Sequence, residues 1–243
     1  MIATYNRAHL LPETLHSVLH QKFRDFEVIV ADNNSRDKTR EVAKKFDAKI
    51  VSGGLPGAGR NRGAEIARGE MLLFVDADII FPASDFLEKS LKEIESRELG
   101  IATCYLLPMS EKLVDKFLHG VFNRYMKLVQ GFSPHAPGFC VFVRRDIFKK
   151  LKGFNEEITL AEDHEFTKRA KKICNYGILK SYKIPVSVRR FDRDGRAKIA
   201  AQYALCELYM WTRGAVKSDI FKYRFGYGEA DVLKNKGKRL RIK

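Results

Sequence analysis

The stretch that decides the fold is MLLFVDADIIF, residues 71–81. Its first five residues are all apolar, which is typical of a strand buried on both faces at the centre of a parallel sheet. Asp76 and Asp78 follow with one residue between them, so their carboxylates lie on the same side of an extended chain. A carboxylate at the end of a buried strand is costly without a positive partner, and a hard divalent cation is the natural one. An isolated Asp-x-Asp more often combines a turn aspartate with a helix cap, so the rest of the chain decides between these interpretations.

Extended and helical patterns alternate on the amino-terminal side of this stretch. Strands are predicted over residues 2–5, 27–32 and 48–52, and helices over residues 11–19, 36–46 and from the end of loop 53–59 to residue 68. Ser35 is predicted to cap the second helix, and the glycine-rich loop is predicted to be flexible. The alternation predicts an α/β fold with a mostly parallel sheet and helices on both faces. Ligands bind at the carboxyl ends of such strands, so Thr4, Asp32 and Asp76 are expected to share one site.

The second half of the chain has a less regular pattern. Strands are predicted over residues 100–106, 138–143, 178–180 and 183–189, and helices over residues 84–96, 110–130, from the N-cap at residue 159 onward and 196–213. Thr159 and Glu162 form a predicted capping box for the third of these helices. Asp163 then heads an inward apolar stripe, a position where a carboxylate does not serve stability alone. His135 is interpreted as a loop histidine, and His164 as a residue on the helix surface.

Composition is that of a globular protein with an excess of cations. The chain has 243 residues, of which 45% are hydrophobic and 31% are charged, enough for a substantial core. No apolar run approaches the roughly 18 residues of a membrane span, and no signal peptide is predicted. The four cysteines are scattered singly, which favours buried thiols in a reducing cytosol over a zinc site or a disulfide. We therefore expect a cytoplasmic protein.

The formal net charge of +15 indicates an anionic partner. Six cations fall within the last ten residues, which contain no acidic residue. Nucleic acid, an anionic membrane surface or a phosphate-bearing substrate could each account for this charge. The helix predicted at 196–213 is rich in aromatic residues, so it either packs on the domain or lies on a membrane beside the basic tail.

Five motifs, in their order and spacing, resemble those of the family 2 glycosyltransferases of the GT-A fold. They are Thr4-Tyr5-Asn6, Asp32-Asn33-Asn34-Ser35, Gly59-Arg60-Asn61-Arg62-Gly63, Asp76-Ala77-Asp78 and Glu162-Asp163. The resemblance covers roughly residues 1–190, with a nucleotide-binding half at about 1–80 and an acceptor half at about 81–190. Residues 191–243 are then a carboxyl-terminal helix and a basic tail. The resemblance implies an inverting transferase that uses a nucleotide-diphosphate sugar together with Mg²⁺ or Mn²⁺.

On the donor side, the resemblance implies a role for five residues. Thr4 and Tyr5 would contact the nucleotide, and Asp32 would bond its base. Arg60 would close over the base or a phosphate, and Asp76 would face the ribose and the sugar. Where the family usually has a second aspartate after the one matching Asp32, this chain has an asparagine, which puts the choice of nucleotide in doubt. A UDP-sugar is the expected donor.

On the metal and acceptor side, the resemblance implies that Asp78 holds the metal on the diphosphate. Gly138 would lie in the loop that admits the acceptor, with Glu162 beside it, and Asp163 would be the general base. Arg189 and Arg190 either grip the diphosphate or form a basic strand end. The acceptor is expected to be a carbohydrate or lipid-linked hydroxyl, with possible contact between the basic tail and an anionic membrane.

The residue types agree with this chemistry. A divalent ion held by carboxylates neutralises the charge that builds on a departing diphosphate, and a partly desolvated carboxylate can take the proton of an attacking hydroxyl. One alternative is a nucleotidyltransferase, which would need a different phosphate loop. The other is a non-enzymatic nucleic-acid or anionic-surface binding protein, which the charge alone suggests. No nucleic-acid partner is expected, because the cations concentrate late in the chain and the five motifs would go unexplained.

Overall fold

A computed structural model describes residues 1–217, and they form one mixed sheet covered by helices. The strands are β1 Ile2–Thr4, β2 Ile29–Asp32, β3 Lys49–Ser52, β4 Met71–Asp76, β5 Leu99–Pro108, β6 Val141–Arg144 and β7 Asn175–Val186. Their order across the sheet is β3-β2-β1-β4-β6-β5-β7. Strand β6 pairs antiparallel with both β4 and β5, and the other pairings are parallel. The predicted mostly parallel α/β architecture is confirmed.

The helices cover both faces of this sheet. They are α1 Leu11–Leu19, α2 Thr39–Lys45, α3 Pro56–Ile66, α4 Phe86–Ser96, α5 Leu113–Val129, α6 Arg145–Lys150, α7 Glu162–Lys171, α8 Arg189–Asp194 and α9 Arg196–Arg213. Two hydrophobic clusters form the core. Leu72 and Phe74 of β4 belong to one cluster and Val75 to the other, because successive side chains of a strand point to opposite faces. A central strand buried on both faces was predicted from the apolar run in β4.

Four phenylalanines form a compact group under one face of the sheet, and we call it the phenylalanine cluster: Phe74, Phe148, Phe154 and Phe166. The Phe154 ring lies 5.3 Å from that of Phe74 and 4.5 Å from that of Phe166, centroid to centroid. The Phe148 ring lies 5.5 Å from both Phe74 and Phe166. This cluster joins β4 to α7, so it fixes the first turn of α7 relative to the end of β4.

The predicted start of α2 at residue 36 is wrong. The helix begins at Thr39, and the Ser35 side chain does not cap it. Instead, the Ser35 hydroxyl and backbone N–H both donate to the Asp32 carboxylate. Asp37 accepts the Thr39 N–H at 3.0 Å, an aspartate turn that delays the helix by three residues.

The predicted capping box at the start of α7 is also wrong. The hydroxyl of Thr159 donates to the carbonyl of Val216 at 3.2 Å instead of capping the helix. Ala161 occupies the N-cap position in the left-handed region, with φ 61°. The Glu162 carboxylate turns away from the helix backbone to Arg60. An ion pair with a residue from α3 has therefore overridden the local sequence signal.

Three further boundaries differ from the prediction. Helix α3 begins at Pro56, inside the predicted flexible loop 53–59, because proline is favourable in a first helical turn. The two strands predicted at 178–180 and 183–189 are one strand, β7, whose pairing with β5 is interrupted between Leu179 and Lys183. The short helices α6 and α8 were not predicted, and α8 begins at Arg189, where a basic strand end was one of the two interpretations.

The prediction of helix 196–213 is confirmed, since α9 spans those residues. The basic tail lies outside the described residues. Among residues 1–217, no helix combines the length and the apolar character that crossing a bilayer requires. Within the same range the four cysteines are free thiols, three of them buried.

Candidate active site

The carboxyl ends of β1, β2 and β4 lie side by side and form the edge on which the candidate site is built. The strand register pairs Thr4 with Asp32 and Ala3 with Asp76. Because β6 runs the opposite way, the loop that precedes it reaches this same edge, and Val141 pairs with Phe74. The structure therefore brings Thr4, Asp32, Asp76 and the loop of Gly138 to one edge, as the strand pattern predicted for the first three.

Two loops at this edge are locked to each other. The Asn6 N–H donates to the Ser35 hydroxyl at 2.8 Å, and the Asn6 side chain accepts the Arg36 N–H at 2.8 Å. Both Asn6 and Asn34 have φ near +50°, a region that asparagine tolerates better than most residues. The Thr4 hydroxyl is buried and has no hydrogen-bond partner among residues 1–217. Tyr5, beside it, is 39% exposed.

Asp32 lies beneath this surface and its carboxylate is already engaged. Its side chain is fully buried. One oxygen accepts the Ser35 N–H at 3.1 Å and lies 3.3 Å from Arg40 Nε, and the other accepts the Ser35 hydroxyl. The structure thus uses Asp32 to hold the turn that follows β2. Its predicted contact with a nucleotide base stays a prediction.

Arg60 is the cationic centre of the site, and it is buried. Its side chain is 5% exposed; one guanidinium nitrogen donates to Glu162 Oε1, and another lies 3.4 Å from Asp76 Oδ1. The guanidinium also lies 5.5 Å from the centre of the Phe154 ring, a distance suited to cation–π attraction. The resemblance implied that Arg60 closes over a base or phosphate, whereas here it holds two carboxylates in place.

Gly138 is clamped between Arg60 and Asp163. Its N–H donates to Asp163 Oδ2 at 2.5 Å. A Cβ atom at this position would clash with the Arg60 guanidinium, so a side chain cannot be accommodated while the buried guanidinium keeps its place. The other oxygen of Asp163 accepts the backbone N–H of His164 at 2.8 Å. Asp163 is therefore oriented from both sides, at the first turn of α7.

The carboxylates around Arg60 have raised pKa values. Burial raises the pKa of Asp76 to about 6, and repulsion from Asp78, Glu162 and Asp163 adds to the effect against the attraction of Arg60. The Asp76 side chain nevertheless keeps 46% of its surface accessible from the cleft. Burial also raises the pKa values of Glu162 and Asp163, again opposed by Arg60. A carboxylate with a raised pKa accepts a proton more readily, as a general base must.

Asp78 lies just beyond the end of β4 and is paired with a cation. Arg189 Nη2, at the start of α8, lies 2.5 Å from Asp78 Oδ2, and 27% of the Asp78 side chain is exposed. Asp76 and Asp78 are thus two accessible carboxylates at one strand end, and each already attracts a guanidinium group, Arg60 in one case and Arg189 in the other. Oxygen donors of this kind fit Mg²⁺ or Mn²⁺. A divalent ion bound to Asp78 would either share this carboxylate with the Arg189 guanidinium or displace it.

A second polar cluster lies behind Asp163, and sequence reasoning missed it. It contains His135, His164 and Glu207, which offer ligand atoms within 4.8 Å of one another. His135 is fully buried and its Nε2 lies 3.0 Å from Glu207 Oε2. His135 lies in a loop, as predicted, but it is fully buried there. The interpretation of His164 as a residue on the helix surface was wrong, because its Nδ1 is buried. No sequence signal marks the cluster, because its members are 29 and 43 residues apart and lie on different elements.

The outer surface of α5 and α9 is unusually apolar. The exposed side chains include Leu113, Phe117, Leu128 and Phe132 on or just after α5, and Tyr203, Leu205, Leu208 and Trp211 on α9. The two sets meet where the rings of Phe132 and Trp211 lie 6.1 Å apart. Contiguous exposed apolar surface of this kind marks interaction sites in soluble and membrane-associated proteins.

Comparison with known proteins finds one family model that matches, that of Glycosyl transferase family 2, over residues 1–152. A poly(ribitol-phosphate) beta-glucosyltransferase of Bacillus spizizenii is 29% identical over 77% of this chain and 30% of its own length. The chain spans between about a third and about half of the first curated relatives it matches.

Solved structures share the fold. A mannosyltransferase of Pyrobaculum calidifontis, in complex with GDP-mannose and Mn²⁺, superposes with a TM-score of 0.67 at 19% identity, over 86% of this chain and 62% of that one. The TarS enzyme of S. aureus, in complex with UDP-GlcNAc, gives a TM-score of 0.63 at 24% identity, over 76% of this chain and 57% of that one. The predicted GT-A architecture is confirmed by these two likenesses.

Proposed function

The chain belongs to glycosyl transferase family 2, and we propose that it transfers a sugar from a nucleotide-diphosphate donor, a UDP-sugar, to an acceptor hydroxyl with inversion at the anomeric carbon. The observation that carries the proposal is the position of Asp163. It faces the edge where Asp76 and Asp78 end β4, and the Gly138 N–H and Arg60 hold it there. The proposed base, the proposed sugar-facing carboxylate and the proposed metal ligand therefore lie at the same edge of the sheet.

The donor would bind over the carboxyl ends of β1, β2 and β4. Thr4 and Tyr5 would contact the nucleotide, and the buried, unpartnered Thr4 hydroxyl would gain a hydrogen bond on binding. Asp76 would face the ribose and the transferred sugar. Asp32 would reach the base only if its bonds to Ser35 loosened. The names of the solved likenesses include UDP-GlcNAc and GDP-mannose, so both uridine and guanosine donors are worth testing.

A divalent ion on Asp78 would neutralise charge on the leaving diphosphate when bound. The chain's own part is to present the Asp78 carboxylate at the strand end and to keep Arg189 beside it. Once displaced from Asp78, the Arg189 guanidinium would stand at the same edge, where it could pair with a phosphate oxygen. This supports the diphosphate grip that was one of the two interpretations of Arg189.

Asp163 would take the proton of the acceptor hydroxyl as that oxygen attacks the anomeric carbon. Burial favours its protonated form, and the hydrogen bonds from Gly138 and His164 favour the carboxylate, so the group is poised between the two. Attack from the face opposite the diphosphate inverts the anomeric centre without a covalent intermediate on the protein. Gly138 and Glu162 would line the acceptor side. The acceptor class is a carbohydrate or lipid-linked hydroxyl.

The two competing functions account for fewer observations. A nucleotidyltransferase would use the carboxylates and a metal, but it gives no role to the base position of Asp163. A nucleic-acid binding protein would explain the net charge of +15. It would leave unexplained why four acidic side chains and one arginine converge at the strand ends.

Substitution of Asp78 is expected to abolish metal-dependent donor binding. Wild type should show a rise in melting temperature with one of UDP-, GDP- or dTDP-sugars that requires Mn²⁺, because a ligand that binds only the folded state stabilises it. In Asp78→Ala the rise should disappear, because the diphosphate loses its bridging ion. The measurement is a thermal-shift panel of these donors with and without Mn²⁺.

The matched control is Asp146→Ala, an exposed aspartate that pairs only with its neighbour Arg144 among the described side chains. It should keep the full metal-dependent shift. Absence of any shift with every nucleotide in folded wild type would overturn the proposed function. A shift that survives unchanged in Asp78→Ala would overturn the role of Asp78 alone.

We further propose that the apolar face of α5 and α9 attaches the protein peripherally to an anionic membrane. Cations flank this face, among them Lys116, Arg124, Lys127 and Arg213, and aromatic side chains such as Trp211 suit the membrane interface. We expect wild type to sediment with anionic vesicles at low salt and to be released at high salt. Leu208→Ser with Trp211→Ser should weaken sedimentation, and neutral vesicles provide the control. Sedimentation that is equal for both proteins would contradict this role of α9.

A further inference from the structure

The cluster behind Asp163 joins three separate elements of the fold. His135 lies in the loop before β6, His164 in the first turn of α7, and Glu207 in the middle of α9. A ring nitrogen of each histidine and a carboxylate oxygen of Glu207 lie within 4.8 Å of one another. The rings of His135 and His164 meet edge to face, with centroids 4.2 Å apart. The cluster shares no residue with the donor site at Asp76 and Asp78.

The hydrogen bonds of His135 require something positive between it and Glu207. Its Nδ1 lies 2.6 Å from the Ser133 carbonyl, which can only accept, so Nδ1 carries a proton. Its Nε2 then faces Glu207 Oε2 at 3.0 Å. In a neutral imidazole this nitrogen has a lone pair, and two lone pairs at that distance repel. Either a second proton or a metal ion must lie between the two atoms.

His164 provides the argument for a metal. Its Nδ1 is buried and has no hydrogen-bond partner among residues 1–217. A single proton shared by His135 and Glu207 would leave this nitrogen unsatisfied, and a buried polar atom without a partner costs about 1–3 kcal/mol. A cation bound by all three side chains, through Nδ1 in the case of His164, would satisfy it. The proton accounts for two members of the cluster, whereas a metal accounts for three.

Neighbouring groups orient His135 and Glu207 as metal ligands are usually oriented. The Ser133 carbonyl fixes the His135 ring, in the way that outer partners usually fix a metal-bound histidine. Tyr125 and Trp211 both donate to Glu207 Oε1, at 2.7 Å and 2.6 Å, which leaves Oε2 to face the histidines. Bonds of about 2.0–2.2 Å to a tetrahedral ion place donor atoms about 3.3 Å apart. Side-chain rotations would bring the three donors to that spacing.

We propose that His135, His164 and Glu207 bind a divalent transition-metal ion, Zn²⁺ in the first instance. Two imidazoles and one carboxylate form a donor set that suits Zn²⁺ and leaves one position for water. The ion would tie α9 to the catalytic domain at its middle. Among the described residues, α9 buries only Ile199 and Cys206. Arg196, at its first position, also forms two hydrogen bonds with the buried Asp115.

The ion would also fix the residue next to the general base, because His164 follows Asp163 directly and its backbone N–H already bonds that carboxylate. The role of the ion is therefore structural and positional, and it differs from that of a divalent ion on the donor. This difference gives the experiment a readout that does not depend on sugar transfer.

The test is metal binding by the purified chain, prepared without a metal-affinity column. After treatment with EDTA and its removal, wild type is titrated with Zn²⁺ and, separately, with Co²⁺. We expect one equivalent of Zn²⁺, a rise in melting temperature, and visible Co²⁺ absorption of the intensity typical of four or five ligands. Glu207→Gln keeps the size of the side chain and should lower Zn²⁺ affinity by more than about 100-fold, the upper end of what loss of an outer partner alone costs.

Two controls separate this site from others. Asp78→Ala should retain the equivalent of Zn²⁺, and so should His20→Gln, which removes a histidine on the exposed end of α1. If Glu207→Gln does not fold, the Zn²⁺ stoichiometry and the Co²⁺ spectrum of wild type still test whether the chain binds a metal. Absence of stoichiometric binding to wild type would overturn the proposal and leave a protonated His135 as the explanation. Binding that is unchanged in a folded Glu207→Gln, or that is lost in Asp78→Ala, would overturn it as well.

Discussion

Asp163→Asn is expected to reduce the rate of sugar transfer by about 100- to 10,000-fold, the usual contribution of a general base. The amide keeps an oxygen that can accept the Gly138 N–H, which now bonds Asp163 Oδ2 at 2.5 Å. The position of the side chain should therefore survive while its basicity is lost. Donor binding, measured by the metal-dependent thermal shift, should change little. The measurement is single-turnover transfer with the donor that gives the shift.

The pH profile of wild type provides the second part of this test. Burial raises the pKa of Asp163, and a base must be unprotonated to act. The rate should thus fall as the pH is lowered, with an apparent pKa above the usual aspartate value of about 3.9. Asp163→Asn should lose this acid limb. If Asp163→Asn has near wild-type turnover, or if its rate still falls at low pH as in wild type, Asp163 is not the general base.

Arg60→Met is expected to destabilise the fold by about 3–5 kcal/mol, the cost of removing one partner from a buried ion pair. Arg60 and Glu162 have side chains that are 5% and 7% exposed and are bonded to each other. Methionine would fill much of the space but would leave the Glu162 charge without its cation. For a chain of this length the loss corresponds to a fall in melting temperature of about 6–20 °C. Chemical unfolding at neutral pH would measure it.

The loss of unfolding free energy in Arg60→Met should become larger as the pH rises. Burial already raises the pKa of Glu162, and Arg60 opposes that rise. Without Arg60 the folded state would hold a proton that the unfolded chain releases, so the unfolding free energy would fall as pH rises above the usual glutamate pKa of about 4.3. The difference between Arg60→Met and wild type should be smallest below that pH.

The control is the double variant Arg60→Met with Glu162→Gln, in which the charge of Glu162 is removed together with its partner. It should recover the part of the lost stability that comes from the unpaired Glu162 charge, because a neutral side chain is cheaper to bury than an unpaired carboxylate. If the single variant matches wild type within experimental error, the ion pair does not stabilise the fold. If the double variant is no better than the single one, the loss comes from packing against Phe154 instead.

Much of the fold was predictable because its signals are local. The apolar run of β4 and the carboxylates that end β2 and β4 follow from composition and period over a few residues. The turn after β2 and the start of α7 were mispredicted because the side chains expected to cap each helix bond to other partners, one of them near in the chain and one of them far away. Ser35 bonds Asp32 instead of its own helix, and Glu162 pairs with Arg60, 102 residues away.

In the candidate site, too, the features with local sequence signals were predicted and those that depend on contacts between distant residues were not. Strand ends indicated that Asp32 and Asp76 share an edge, and the family resemblance drew attention to Asp163. Neither indicated that the Arg60 guanidinium lies against Gly138, where a larger residue would have to push it aside. The cluster of His135, His164 and Glu207 gave no signal at all. Contacts between residues far apart in the chain produce no periodic pattern in the sequence, so only the folded structure reveals them.

The phenylalanine cluster bears on how this chain could be recombined with its relatives. The family model ends at residue 152, yet Phe154 and Phe166 lie beyond that point and their rings cover Phe74 and Phe148. Burial of each phenylalanine side chain stabilises the fold by about 1.5–3 kcal/mol. A chimera joined at residue 152 would keep Phe74 and Phe148 but replace Phe154 and Phe166 with side chains that pack against different neighbours in the relative. Fragments that are transplanted intact should instead extend through α7, because β4 and α7 form one cooperative unit.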